Sequence, residues 1–395
     1  MVWRDIGAAD GLERHSMTVK TTHFKVGNGD MTLLEFESGR RVLVDINIRS
    51  ATDDIPDVAR QLKKKLDRDD EGRLYVDAFL NTHPDADHIR GLKEQFHLGD
   101  PSTWSEDDDK IFIREMWSSP IVFRRAKAKD EDHVLCDDAE AWRDEARRRA
   151  NRFKKEGAAE DGNRILILGE DVDGKTDDIG AIVVKVDQVF SSICGTTDTS
   201  FEARLLAPMP ASDEAEEQIL TKNNSSVIIR IDLKVAKDVK ARYLIGGDAE
   251  VGVWDRVWER NEAVPERLAY DVLIAPHHCS WHSLSYDSWS EKGEKAKVSE
   301  AARNALGQPL SGALILASSK TVKDDESDPP CIRAKREYID ILDSVKGEFK
   351  CVADSAGDDP LVIEVSSAGP RVKRAVFGVS LAAGTGIGSQ PLAHG

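Results

Sequence analysis

From Thr22 the chain reads THFKVGNGDMTLLEFESGRRVLVDI, short apolar runs broken by small and polar residues, which predicts three strands joined by turns at 27–30 and 38–40. The Gly27, Gly29 pair reads as a tight turn, because a dinucleotide motif needs a third glycine and a helix after it. Ile55, Val58, Leu62 and Leu66 then fall at helical spacing, and a strand follows over 73–80. Residues 1–21 show no periodicity and are read as a lead-in to one domain spanning 22–379; 380–395 is small, Gly-rich and read as a tail.

Between about 100 and 175 the pattern turns polar and irregular, apart from a predicted helix, AEAWRDEARRRANRFKKEG. This segment is read as a charged, partly helical insertion that hangs over the site. Strand-like runs return at Ile165 to Leu168, Ala181 to Val186 and Phe201 to Leu206, followed by an acidic helix around Asp213 to Leu220. Two more strands, in NNSSVIIRIDL and ARYLIGGDAE, end on Asp248 ahead of a helix, AEVGVWDRVWER. YDVLIAPHHCSWHSLS opens with an apolar strand, and further strands are predicted at Gly312 to Ala317, Phe349 to Ala353 and Leu361 to Val365, with a helix after Cys331.

Composition narrows the class. With 395 residues, 40% hydrophobic and 32% charged, the chain has the makeup of a soluble protein with a sizeable core. It has no apolar run near the eighteen or so residues of a membrane span and no apolar signal core at its N-terminus, so a cytoplasmic location is expected, with no membrane partner. Five cysteines, widely spaced and without a CxxC pair, imply free thiols. A net charge of -17 argues against a protein that coats nucleic acid non-specifically, but not against an enzyme with a local basic patch.

The chemistry concentrates in NTHPDADHIRGL, just past the strand at 73–80. His83, Asp85, Asp87 and His88 crowd onto one turn, which is costly unless a cation offsets it. A polar loop with Asp87 as helix N-cap explains one of the four. Asp248 follows a strand and Gly246, Gly247, and is a second candidate ligand or a cap; His277 and His278 follow another strand and supply a third group. Cys279 beside them is read as a small residue rather than a nucleophile. Groups about 160 and about 30 residues apart meet only if each lies at the same end of a β-sandwich, so the expected fold is α/β, with an αββα layering.

The spacing in HPDADH resembles the HxHxDH signature of the metallo-β-lactamase superfamily, with Asp85 in place of a histidine, and GGDAE and PHHCS extend the likeness to its soluble ComEC-like metallo-hydrolase domains. The VGNGD turn and Asp45 stand where such domains have VGQGD and a strand ending in aspartate. The resemblance implies His83, Asp85, Asp87, His88, Asp248 and His277 as metal ligands, Asp248 as the bridge, and catalytic roles for Asp87 and His278, with the two adjacent histidines interchangeable. It implies one or two divalent ions, Zn²⁺ or Mn²⁺ with Mg²⁺ as a third choice, and phosphodiester hydrolysis by a metal-activated water. Departures are Asn223 and Asn224 near a usual ligand histidine and Asp328, Pro329 where a His-Pro dipeptide is usual.

Substrate contacts are expected from Asn223, Asn224, Ser280 and His282, with Arg147 and Arg148 as a candidate backbone clamp, although a solvated ion-paired face is the favoured reading of their helix. The implied partner is nucleic acid, DNA before RNA, with a protein partner through 100–175 as a further expectation. A small ester, lactone or thioester hydrolase, and a regulatory protein with a degenerate metal site, remain as alternatives.

Overall fold

The structure is a computed structural model that describes residues 18–123, 135–157, 159–170, 176–209 and 225–373. In chain order its strands are β1 (Val19–His23), β2 (Thr32–Glu35), β3 (Arg41–Val44), β4 (Tyr75–Asn81), β5 (Phe112–Ser118), β6 (Arg164–Leu168), β7 (Val183–Val184), β8 (Val189–Phe190), β9 (Phe201–Ala207), β10 (Ile228–Val235), β11 (Asp238–Ile245), β12 (Tyr270–Ile274), β13 (Pro309–Ala317), β14 (Glu348–Cys351), β15 (Leu361–Ser366) and β16 (Gly369–Val372). They form a nine-stranded sheet in the order β16-β15-β1-β2-β3-β4-β5-β6-β7 and a seven-stranded sheet in the order β14-β13-β12-β11-β10-β9-β8. Strands β3 to β7 run parallel, as do β11 to β14.

Strand alternation builds the layers. Val42, Val44, Ala78, Leu80 and Trp117 point inward from the first sheet onto Ile229, Ile231, Tyr243, Ile245 and Val272 of the second. Their neighbours Leu43, Phe79 and Met116 point outward onto helices α1 (Val58–Lys63), α2 (Ala86–Ile89), α3 (Leu92–Gln95) and α4 (Asp137–Glu156). On the far side Leu244, Leu273 and Ile315 meet α5 (Val251–Asn261), α6 (Glu300–Leu306) and α7 (Ile332–Asp343). The result is αββα, as expected, and both sheets are covered on both faces, which is why their strands read as near-continuous apolar runs.

Several boundaries differ from the pattern. Strand β1 begins at Val19, inside the presumed lead-in, because Val19 packs into the inter-sheet core. The helix after the metal motif is two single turns, α2 and α3, split at Gly91; φ there is 92°, and a Cβ would lie 2.8 Å from Ile48. The 100–175 segment is charged and partly helical, but it is woven into the sandwich rather than hung over the site. It supplies the interior strand β5 and the strand β6, and α4 buries Ala139, Trp142, Ala146 and Ala150 against the first sheet. Sparse Ala and Trp positions among so many charges hid that stripe. The helix expected around Asp213 to Leu220 and the tail from 380 lie outside the described residues. Among the described residues no helix is long and apolar enough to cross a membrane.

One buried acid makes the fold sensitive to pH. Glu115 on β5 accepts a hydrogen bond from the Cys194 amide, and burial pushes its carboxyl up to about 7, against the Cys194 bond and the Arg164 charge. The folded chain therefore binds this proton more tightly than the unfolded chain does, and the contribution is fully present below the ordinary glutamate value and lost as pH rises through about 7. Glu115→Gln, which keeps an acceptor oxygen, should raise stability above pH 7 by roughly 2–3 kcal/mol and make no difference near pH 4, as read by urea unfolding at the two pH values.

Candidate metal centre

Parallel strands present the site at their carboxyl ends, where backbone amides and loop side chains are free to turn inward. Past β4, Asn81 and Thr82 lead to His83; Asp85 caps α2, with its carboxylate accepting from Ala86 N at 2.9 Å, and Asp87 and His88 lie on α2 itself. Asp248 follows β11, and His277 and His278 follow β12. The turn between β1 and β2 adds Asp30, whose amide donates to the Asp87 carbonyl at 3.2 Å. The cap is thus Asp85 rather than Asp87.

Asp30, His88, Asp248 and His278 are all buried, with one ligand atom each lying within 4.8 Å of the others. Asp248 faces two ways. Its Oδ1 is 2.9 Å from His88 Nε2 and 3.5 Å from His278 Nε2; its Oδ2 is 3.8 Å from His83 Nε2 and 3.7 Å from His277 Nε2. Asp87 Oδ2 reaches His278 Nε2 at 3.2 Å. Hydrogen bonds span about 2.7–3.2 Å, whereas two ligands each about 2.0–2.2 Å from one ion sit about 3–4 Å apart. His83 Nε2 and Asp30 Oδ1 are buried and make no hydrogen bond. His88 to Asp248 and His278 to Asp87 lie within hydrogen-bond distance, but the other three separations are too long for it, and with buried polar atoms left over they are what a divalent ion would fill, so the residues present fit one.

Electrostatics point the same way. Burial pushes the Asp30 carboxyl up to about 6, against the His278 and His88 charges. Burial acts likewise on Asp87 and Asp248, but hydrogen bonds and charges from His278 and His88 outweigh it and hold both well below the usual carboxylate range. His88 is raised well above its ordinary value despite burial, by Asp248 and Asp45. Protons on imidazole supply the positive charge that these carboxylates require when no cation does.

A second layer fixes the first. Asp45, buried and with φ at 50°, accepts from Thr82 N at 2.7 Å, Thr82 Oγ1 at 2.6 Å and Asn81 Nδ2 at 3.1 Å, and lies 2.8 Å from His88 Nδ1. It turns His88 Nε2 toward Asp248 and holds the strand end that carries His83. Gly29 N donates to His278 Nδ1 at 3.2 Å; a Cβ on Gly29 would lie 2.2 Å from Asn47 Nδ2, so the turn closes on the site only with glycine there. His277, His278 and Cys279 all have left-handed backbone, with φ of 51°, 53° and 69°. That strain turns two successive imidazoles toward one carboxylate, and it explains why the resembling pattern has glycine where Cys279 stands. Cys279 is fully buried, and burial pushes its thiol well above the ordinary value, so it is no nucleophile.

The remaining expectations fare unevenly. His278 is buried in the cluster, against Asp30, Asp87 and one oxygen of Asp248, whereas His277 is partly exposed and faces the other oxygen of Asp248. Ser280 Oγ donates to Asp328 at 2.6 Å, and His282 is half exposed 3.9 Å from the same carboxylate; Asp328 pins this loop where a histidine was expected. Arg147 donates to the Val122 carbonyl, and Arg148 is spent on Glu145, Asn163 and the Gly162 carbonyl, next to the amino end of β6 and away from the metal end. Arg148 therefore belongs to a structural ion-pair face, whereas the carbonyl that holds Arg147 lies past the carboxyl end of β5, at the same end of the sheet as His83. Asn223 and Asn224 lie outside the described residues. Asp30 and Asp45 were not assigned from sequence, although the GNGD turn and the strand-ending aspartate had both been noted.

No protein-family model matches the chain, and no curated protein matches it. Among solved structures, that of unliganded yeast PDE1 overlaps 89% of this chain and 100% of its own at 12% identity, with a TM-score of 0.40. An overlap this loose assigns neither a family nor an activity.

Two variants check the centre. Asp45→Asn keeps the shape but weakens the hold on His88, and should lower Mn²⁺ or Zn²⁺ affinity by about 10- to 100-fold in calorimetric titration. Cys279→Gly relieves the left-handed strain while losing a buried thiol, and should bind metal as the parent does; an affinity loss as large as that of Asp45→Asn would show that the thiol takes part.

Proposed function

We propose that the chain is a metal-dependent hydrolase of the metallo-β-lactamase type acting on phosphodiesters, with DNA ahead of RNA. The observation that carries this reading is the Asp248 carboxylate, one oxygen turned to His88 and His278 and the other to His83 and His277. A carboxylate so placed would serve two ions at once. His83 and His277 would hold one; Asp30, Asp87, His88 and His278 would hold the other. Mixed imidazole and carboxylate donors favour Mn²⁺ or Zn²⁺.

Bound divalent ions would supply Lewis acidity toward the phosphoryl oxygens and lower the pKa of a water toward about 7. The protein's own groups position rather than attack. Asp45 holds His88 in one orientation, the Gly29 amide fixes the His278 ring, and Asp87 lies against His278 where it can take or share a proton. The two nucleophile types beside the histidine pair are otherwise engaged: the Ser280 hydroxyl on Asp328, the Cys279 thiol by burial. Hydrolysis by water, without a covalent intermediate, is the chemistry left to such a site.

The test is hydrolysis of bis(p-nitrophenyl) phosphate, p-nitrophenyl acetate and a lactone by protein loaded with Mn²⁺, Zn²⁺ or Mg²⁺, beside the Asp87→Ala, His88→Ala variant. Metal-dependent cleavage of the phosphodiester, reduced at least 10³-fold in the variant, is expected because two ligands are lost together. Cleavage confined to the acetate or the lactone overturns the phosphodiester assignment, and failure to bind any of the three ions overturns the hydrolase.

A further inference from the structure

In a chain of net charge -17, one groove reverses the local sign. It runs along the edge strand β14, between α7, the end of α1 and the β15–β16 hairpin, and encloses about 1310 Å³. Lys64, Lys65, Lys335, Lys350 and Lys373 line it, against three carboxylates. Lys350 pairs with Glu348 and Lys373 with Glu364, while Lys64, Lys65 and Lys335 have no carboxylate within ion-pair distance among the described residues. Burial, with Lys20 and Lys373 adding to it and Glu35 and Asp359 opposing, pulls the Lys65 ammonium below its ordinary value. The floor is apolar: Phe349 lies under the Lys335 ammonium at 5.7 Å, and Ile339 is 48% exposed.

The groove leads toward the metal. Strand β14 runs in the same direction as β11 and β12, so its carboxyl end at Cys351 lies at the end of the sheet that carries Asp248 and His277. There the 351–359 loop separates the groove from a smaller cleft of about 380 Å³, which Arg49 and Lys320 also line and which abuts the Gly27 turn. Ser318, on the same cleft, donates to the Gly29 carbonyl at 2.7 Å, one residue from Asp30. Cations spaced along a trough with an aromatic ring in its floor suit a single-stranded polyanion, phosphates on the rim and bases on the ring.

We infer that the lysine groove along β14 is the docking track for single-stranded nucleic acid, leading its backbone past Arg49 and Lys320 to the metal centre. This rests on the phosphodiesterase reading and narrows it to a polymeric substrate. The competing account is that Lys350 and its neighbours only guard an exposed sheet edge against pairing.

The experiment uses the full chain and the triple variant Lys64→Gln, Lys65→Gln, Lys335→Gln. Binding of a fluorescein-labelled twenty-residue oligothymidylate is followed by anisotropy in EDTA across a salt series, and turnover of the oligonucleotide and of bis(p-nitrophenyl) phosphate is followed with Mn²⁺. At about 0.7 per cation, removing three lysines should flatten the log K against log salt slope by about 2. KM for the oligonucleotide should rise at least tenfold, with the small diester hydrolysed as before. Equal binding and KM in parent and triple variant overturn the track and leave edge protection. Competition by polyglutamate as effective as that by oligothymidylate overturns nucleic acid as the occupant. Hydrolysis of the small diester without oligonucleotide binding sinks the track alone, whereas lysine-dependent binding without hydrolysis of any diester sinks the activity and upholds the track.

Discussion

Four carboxylates, Asp30, Asp45, Asp87 and Asp248, share one end of the sandwich with His83, His88, His277 and His278, and most of them are closed off from water. Taking a carboxylate out of water is expensive unless positive charge comes with it, and four of them within reach of one another multiply the cost. The local architecture answers that demand. Asp45 spreads its charge over four donors, Asp248 divides its two oxygens between two pairs of imidazoles, and the Gly29 turn closes over His278. Strand ends, strained turns and close glycine contacts follow from the need to hold this charge in place.

The parts of this arrangement carried by contiguous side chains were legible in the sequence. HPDADH, GGDAE and PHHCS each follow an apolar run, and their order gives both the layer pattern and most of the cluster. What stayed hidden depends on direction rather than identity. Nothing in the order of letters tells His277 from His278; three successive left-handed residues decide which ring goes inward. Asp85 and Asp87 differ only in which one the helix takes as its cap. Asp30 and Asp45 were visible as turn and strand-end aspartates, but their part in the site comes from folding across some 40 to 250 residues of chain.

The arginine-rich helix shows the reverse error, in which composition suggested more than geometry delivers. Seven basic residues on α4 resemble a phosphate clamp, yet Glu145 alone engages both Arg148 and Arg149, strand-end carbonyls take further Arg149 donors, and Arg143, Arg152 and Lys154 pair with other carboxylates. A buried Arg149 is a packing element that satisfies the ends of β5 and β6. The lysines that do lack counter-charges, Lys64 and Lys65 just past α1 and Lys335 on α7, lie some 270 residues apart, so no window of sequence gathers them.

The ligand set also crosses the sandwich. His83, Asp87, His88 and Asp30 belong to the first sheet's loops, whereas Asp248, His277 and His278 belong to the second's. An ion held by both would act as a rivet between the two halves, present only in the folded state. Its contribution would grow with the logarithm of free ion, by about 2.7 kcal/mol at a hundredfold excess over the dissociation constant. The lifetime of the folded chain would then report on the metal supply around it, independently of any substrate.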